Sequence, residues 1–222
     1  MSKKKCTFLL PIGNSINGQL LPQWFELSKW CSENNSEIKT VYGRPHAEAR
    51  NFLASNGGWT IDNNKQKIIG HDSEWLIWID SDIIFNITQI EDLLSTDYPF
   101  VSGWYRNDNS EQVMCGWLND NFFKINKVMP FMSSKELINI SKKEPKKAMK
   151  CDFIGFGFCK IKTDLIKQIS YPYFTHIEQN RFGFKDLSSE DVSFCIKCFK
   201  ETGIKPAVVP RLRVGHLKTI IY

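Results

Sequence analysis

The stretch Glu74–Phe85, EWLIWIDSDIIF, constrains the fold more than any other part of the chain. Trp75, Leu76, Ile77, Trp78 and Ile79 form an apolar run that lacks the strict alternation of a half-exposed strand. Such a run predicts a strand buried on both faces, as in a parallel sheet. It ends abruptly in Asp80-Ser81-Asp82, and carboxylates are costly to bury unless a cation or hydrogen-bond donors meet them. The carboxyl end of a central strand is also where open α/β sheets bind ligands. Hard oxygen ligands in that place favour Mg²⁺ or Mn²⁺, which share their coordination shell with substrate phosphates. Taken alone, Asp80 and Asp82 fit equally well as caps of the next turn or helix.

The flanking sequence builds a sheet around this strand. Cys6–Ile12 reads as a first strand, closed by the Pro11/Gly13-Asn14 turn. Leu21–Asn34 follows with Leu21, Trp24, Phe25, Leu27 and Trp30 at helical spacing. Glu37–Tyr42 reads as a strand, His46–Ser55 as a helix stopped by Gly57-Gly58, and Thr60–Ser73 as an irregular loop. Beyond the acidic pair, Thr88–Ser95 is expected as a helix and Tyr98–Tyr105 as a strand. This β-α-β-α-β-α-β order predicts a parallel sheet with helices on both faces. Gln112–Val128 reads as an antiparallel hairpin around Asn119-Asp120-Asn121. Ser141–Lys150, with five lysines in ten residues around Pro145, reads as a solvated loop or a polyanion-binding one. Cys151–Ile161 is expected as a strand, Thr163–Ile169 and Ser188–Thr202 as helices, and Pro206–Val209 as the last strand. The fold class expected is α/β: one domain with a mostly parallel central sheet, helices on both faces and a small antiparallel hairpin.

Composition narrows the setting. With 222 residues, 42% hydrophobic and 24% charged, the chain is expected to be one ordinary soluble domain. Seven cysteines are scattered, and Cys195/Cys198 have no second pair to complete a zinc site, so reduced thiols in a cytoplasmic setting are expected. No apolar run approaches the ~20 residues that span a bilayer. The lysines ahead of Phe8-Leu9-Leu10 are followed by too short an apolar run for a signal peptide. A formal net charge of +5 is compatible with polyanionic partners without requiring one.

Three further stretches gain meaning beside a metal-holding strand. In Asp152–Phe158, glycines flanked by rings either let a sugar approach the backbone or mark a bulged core strand. In Ser188-Ser189-Glu190-Asp191, Ser188 and Asp191 have the spacing of a capping box, while a carboxylate at a helix start could also take a proton from an acceptor hydroxyl. Val214-Gly215-His216 places a histidine after the last strand, as a structural residue or a metal ligand.

In this order and spacing the sites resemble the nucleotide-sugar glycosyltransferases of the GT-A type, especially the large inverting family 2. The residues that carry the resemblance are the opening strand ending at Pro11, the helix with Ala49-Arg50-Asn51, IWIDSDIIF (77–85), FVSGWYR (100–106), GFGFCKIKTDLI (155–166), SSEDVSFCIKC (188–198) and VGHLK (214–218). The Ala49-Arg50-Asn51 helix and the compact length resemble the small versions found in bacteriophages and large DNA viruses, which work in a bacterial or infected-host cytoplasm. The resemblance implies that Asp82 ligates Mn²⁺ or Mg²⁺ bridging a diphosphate, with Asp80 on the ribose or on a metal-bound water and His216 completing the protein's share of the shell. It implies Asp191 as general base of an inverting transfer and Glu190 as the residue that orients a sugar. The cation and Arg50 would offset charge on the departing nucleoside diphosphate. Pro11, Ile12 and the rest of the region to Asn14 would line the nucleotide pocket with Arg44, with uridine as the expected base. Trp104, Tyr105, Trp117, Gly155, Phe156 and Gly157 are candidates for the sugar or acceptor. The nucleotide half would run from 1 to 106 and the acceptor half from 107 to 222.

The expected activity is therefore transfer from a UDP-sugar to a glycan, a virion glycoprotein or a hydroxymethylated DNA base. The lysine run, with Lys142, Lys143, Lys146 and Lys147, keeps DNA modification among these; such binding would weaken steeply with salt. Two rivals are a sugar-nucleotide nucleotidyltransferase and a non-catalytic sugar-binding module. The first lacks a glycine-rich phosphate loop after the first strand.

Overall fold

The computed structural model describes residues 5–62, 65–106, 111–145 and 147–217. Met1–Lys4 ahead of the first strand, Lys146 of the lysine run and Lys218 of the terminal VGHLK lie outside the described residues. In chain order, β1 (Cys6–Ile12) leads through a 3-10 turn into α1 (Leu21–Glu33), β2 (Glu37–Tyr42), α2 (His46–Ala54), β3 (Trp59–Asp62) and β4 (Lys65–Ile68). Then come β5 (Trp75–Ile79), β6 (Ile83–Ile84), α3 (Ile87–Ser95) and β7 (Phe100–Trp104). The second half runs β8 (Gln112–Gly116), α4 (Asp120–Asn126), β9 (Phe131–Ser133), α5 (Ser134–Lys143), β10 (Met149–Lys150), β11 (Phe153–Ile154), β12 (Phe158–Lys162) and α6 (Thr163–Ile166). It closes with β13 (Glu178–Arg181), β14 (Phe184–Leu187), α7 (Glu190–Thr202), β15 (Ala207–Arg213) and β16 (Gly215–His216).

Seven strands form the main sheet in the order β10-β15-β7-β12-β5-β1-β2. The strands β2, β1, β5, β7 and β15 share one direction, while β12 and β10 run against them. β5 is buried along its whole length, and its alternate residues enter opposite core layers. Leu76 and Trp78 join Phe156, Phe174 and Phe194 on one side, while Trp75, Ile77 and Ile79 join Phe8, Trp30 and Phe158 on the other. Each such side chain contributes roughly 1.5–3 kcal/mol by leaving water, which is why a continuous apolar run is needed here. Trp78 pairs with Leu9 in β1 and Cys159 in β12, so Asp80 emerges from the middle of the sheet.

Several local expectations change. The sheet is mostly parallel, as expected, but Cys151–Ile161 does not form one strand of it, because the segment is broken at Gly155–Gly157. β11 joins a small sheet with β8 and β9, and β12 turns back antiparallel between β5 and β7. Gln112–Val128 is no hairpin: Asn119 caps α4 by accepting from Phe122 N at 3.0 Å, and Lys127 ends it in a left-handed conformation. Asn and Asp suit turns and helix starts alike, so composition could not separate the two. The lysine run is partly helical: α5, opened by a Ser133–Glu136 capping box, carries Lys142 and Lys143 in its last turn, where cations complement the helix dipole. Within Thr60–Ser73 the described residues contribute the antiparallel pair β3–β4. The N-cap of α7 is Ser189, which accepts from Val192 N, rather than Ser188. None of the helices among the described residues is long and apolar enough to cross a membrane.

Candidate active site

β5 delivers Asp80 and Asp82 to a tight turn in which Ile83 N donates to the Asp80 carbonyl at 3.1 Å. Ile83 is fully buried and anchors β6, which pairs with β16 so that His216 lies opposite Ile83. Leu217 N closes this ladder by donating to the Asp82 carbonyl at 2.8 Å. The result brings His216 Nε2 to 3.0 Å from Asp82 Oδ2. The other ring nitrogen, Nδ1, lies 3.0 Å from the Arg106 carbonyl, and the Tyr105 ring packs edge-on at 5.1 Å, so the imidazole is held on three sides.

A second cluster centres on Arg50, whose side chain is 2% exposed. Its Nη2 donates to Asp80 Oδ2 at 3.1 Å, and its Nε lies 3.3 Å from Asp191 Oδ1 and 3.5 Å from Glu190 Oε1. Burial works against the charge, but Asp191, Asp80 and Glu190 together outweigh it and hold Arg50 protonated well above the ordinary arginine range. Asp191 is pushed up to about 6, chiefly by burial; Arg50 opposes the rise, while Glu190 and Asp80 add to it. Phe156 N donates to Asp191 Oδ2 at 3.0 Å and fixes the carboxylate. Asp80 Oδ1 is buried with no hydrogen-bond partner among the described residues, while Asp191 Oδ1 faces Arg50 Nε at 3.3 Å without a hydrogen bond of good geometry. An orphaned acceptor such as Asp80 Oδ1 is costly unless a ligand meets it.

Both clusters open into one cleft of about 460 Å³. Pro11, Gly13, Asn14 and Ser15 follow from β1, His46 and Arg50 from α2, Asp80–Asp82 from β5, and Glu190 and Asp191 from α7, with Tyr105, Met114 and His216 completing the lining. His46 and Arg50 are one helical turn apart, and His46 Nδ1 lies 4.0 Å from Glu190 Oε1. His46 was missed in the sequence, although its i,i+4 relation to Arg50 was a usable signal.

Other expected site residues lie elsewhere. Ile12 packs beside the core and is not in the cleft lining. Arg44 stacks on Phe52 at 4.3 Å and lines a separate cleft with Glu48, Asn51 and Trp59. Trp104 is a core residue whose Nε1 donates to the Pro210 carbonyl at 2.7 Å, so its ring is not available to a sugar. Phe156 is buried among Trp78, Phe100, Phe174 and Phe194. Trp117 is half-buried against the core, outside the acidic cleft. The two glycines make room for protein: a Cβ on Gly155 or Gly157 would meet Tyr105 Oη at 2.5 or 2.6 Å. Gly157 N donates to that hydroxyl at 3.1 Å.

Among the described residues no group of three or more His, Cys, Asp or Glu side chains could by itself hold a metal ion. The donor set nevertheless fits a cation held in part by the protein. Asp82 and His216 converge, Asp80 Oδ1 is an orphaned acceptor beside them, and phosphate oxygens and water commonly fill the rest of an Mg²⁺ or Mn²⁺ shell.

No family model and no curated protein matches the sequence. Solved structures do. The chain is similar to A197 from STIV at 16% identity and a TM-score of 0.57, over 97% of this chain and 86% of that one. It is similar to GalNAc-T7, solved with UDP, GalNAc and Mn²⁺, at 12% identity and a TM-score of 0.50, over 97% of this chain and 44% of that one. This chain therefore spans less than half the length of GalNAc-T7. These likenesses show the fold, a single mixed α/β domain with a GT-A-like architecture.

Proposed function

We propose that the protein is a metal-dependent glycosyltransferase that moves a sugar from a nucleoside-diphosphate sugar, a UDP-sugar, to an acceptor hydroxyl with inversion. The observation that carries this reading is the meeting of two functions in one cleft: the Asp82–His216 pair and the Asp191 carboxylate line the same cavity. The likeness in fold to GalNAc-T7, solved with UDP and Mn²⁺, supports the choice of nucleotide and ion. Asp82 and His216 would hold Mn²⁺ or Mg²⁺, which supplies positive charge to the departing diphosphate. Pro11 and the turn after it would receive the nucleotide, and Asp80, fixed by Arg50, the ribose.

Asp191 would act as the general base. A carboxylate raised to about 6 remains ionised at neutral pH yet accepts a proton more readily than an ordinary aspartate. Phe156 N donates to Oδ2, so Oδ1, which faces Arg50 Nε at 3.3 Å, is the oxygen that would receive the acceptor's proton. Glu190 would orient the acceptor, with His46 beside it. Arg50 serves here as the countercharge of the carboxylates rather than as a direct contact to diphosphate. The division into a nucleotide half (1–106) and an acceptor half (107–222) follows the same reading. Acceptors to be compared are a glycan, a glycoprotein and hydroxymethylated DNA.

Thermal melts with UDP and a panel of nucleotide sugars, with and without Mn²⁺, test this. A ligand at 100 times its Kd stabilises the native state by about 2.7 kcal/mol. UDP should raise Tm only with the metal present, a UDP-sugar should be slowly hydrolysed, and Asp82→Ala should lose both effects. Metal-independent stabilisation, or an unchanged Asp82→Ala response, removes the proposal. Release of pyrophosphate from a nucleoside triphosphate and a sugar phosphate would identify a nucleotidyltransferase. Sugar binding without turnover of any donor would identify a binding module. Transfer to DNA should weaken with salt and with Lys→Glu changes at Lys142, Lys143 and Lys147.

A further inference from the structure

We propose that the face built by α4 and the β13–β14 hairpin docks onto a lipid bilayer surface that carries anionic headgroups. The helix Asp120–Asn126, DNFFKIN, has no buried residue although Phe122, Phe123 and Ile125 are large and apolar; Ile125 is 79% exposed. Beside it, every residue of β14 is exposed, including Phe184 and, at 64%, Leu187. Phe182, at the hairpin tip, is 53% exposed and adopts a left-handed φ of 52°. A two-residue hairpin turn gives that conformation most cheaply to Asn, Asp or Gly, so a phenylalanine there keeps a ring in solvent at a conformational cost.

The two elements form one surface. Phe123 meets Phe184 edge-on at 6.1 Å, and Arg181 pairs with Asp120. Lys127 Nζ lies 4.9 Å from the Phe184 ring and Lys124 Nζ 5.8 Å from the Phe182 ring. Two of the carboxylates present are paired with cations, Asp120 with Arg181 and Glu178 with Lys185, and Asp186 accepts from the Leu187 amide. Exposed aromatic and aliphatic side chains with lysines seated on the rings match the boundary between acyl chains and phosphate headgroups. An apolar patch of this kind marks an interaction site on a soluble domain. A cleft of about 330 Å³ between the elements, lined by Phe123, Phe131, Phe184 and Leu187, reaches Ser188 and Val192 on either side of Glu190 and Asp191. A bilayer on this face would therefore lie beside the acidic helix start. The inference goes beyond the transferase reading and does not depend on it.

Co-sedimentation of the full chain with vesicles of phosphatidylcholine alone, and of phosphatidylcholine mixed with phosphatidylserine, is the test. The protein should pellet with the mixed vesicles and far less with the neutral ones. Ile125→Asp with Leu187→Asp should abolish pelleting, and Lys124→Glu with Lys127→Glu should lower partition at least about tenfold. Phe182→Asn relieves the left-handed turn, so it should melt no lower than the parent yet bind vesicles more weakly. UDP-dependent melting, read on the same variants, should be unchanged. Equal pelleting with both vesicle types, no pelleting, or undiminished binding by the variants would each overturn the proposal. So would a self-association that the same substitutions abolish, because the face would then be covered by a second copy.

Discussion

His216 Nε2 lies 3.0 Å from Asp82 Oδ2, across 134 residues of sequence. The contact depends on two short strands, β6 and β16, whose pairing carries the end of the sheet back to its middle. If these side chains share a cation, His216→Ala should weaken Mn²⁺ binding in the presence of UDP by roughly 10–100-fold, the scale of disturbing a metal's protein shell. Titration calorimetry of Mn²⁺ into the UDP-saturated protein reads this directly. Because a ligating imidazole must be neutral, wild-type affinity should also fall on acidification. An unaltered Mn²⁺ affinity in His216→Ala would place the ion elsewhere.

Among the described residues, Arg50 is the buried cation that pairs with Asp80, Glu190 and Asp191. Arg50→Met keeps the apolar stem but leaves three carboxylates without their counterion. Breaking a buried ion cluster by removing one partner costs about 3–5 kcal/mol, so chemical denaturation should show a loss of that order. Lowering the pH should restore part of it by protonating the carboxylates. A variant as stable as the parent at neutral pH would mean that solvent already screens this cluster.

The sequence carried the central strand and its acidic tip plainly, because five consecutive buried apolar residues followed by Asp-Ser-Asp have few other solutions. It also carried three of the four segments to one place, since Asp80, Asp82, Glu190, Asp191 and His216 line one cleft, whereas Gly155 and Gly157 pack on Tyr105. What it concealed were pairings set by tertiary context. Nothing local tells that Gly155 and Gly157 accommodate Tyr105, or that Trp104 faces Pro210 and not solvent. Trp and Phe suit a core and a sugar platform alike, so only burial separates the roles. Likewise, β12 cannot be told from a parallel strand by composition, since it is buried nearly throughout.

The Gly157–Tyr105 contact makes a separate prediction. A methyl group at 157 would lie 2.6 Å from Tyr105 Oη and 2.7 Å from Cζ, closer than any relaxed packing. Gly157→Ala should therefore cost about 1–3 kcal/mol as an overpacked site. Tyr105→Phe removes the hydroxyl that the methyl strikes, so the double variant should recover part of that loss. A double-mutant cycle by denaturant unfolding measures the coupling. Strictly additive losses would mean that the backbone moves instead of the ring.

As the proposed base, Asp191 would set both the pH profile and a conflict between stability and activity. Its folded-state pKa, about 6, stands above the 3.8 of an ordinary aspartate. The native state thus binds this proton more tightly than the unfolded chain does. The resulting stabilisation is full below about pH 3.8 and is lost as pH rises through about 6. Asp191→Asn removes the ionisation, so above pH 6 it should be more stable than the parent by up to about 3 kcal/mol, with the difference vanishing towards pH 4. The same substitution removes the proposed base. Sugar transfer by the parent should fall about tenfold per unit below pH 6 and level off above it, while Asp191→Asn should bind UDP with Mn²⁺ yet transfer nothing at any pH. Melts and transfer assays on the two proteins across pH 4–8 test both halves. A variant that is destabilised at pH 8, or still active there, would show that the buried carboxylate is a structural partner of Arg50 and not the group that takes the acceptor's proton.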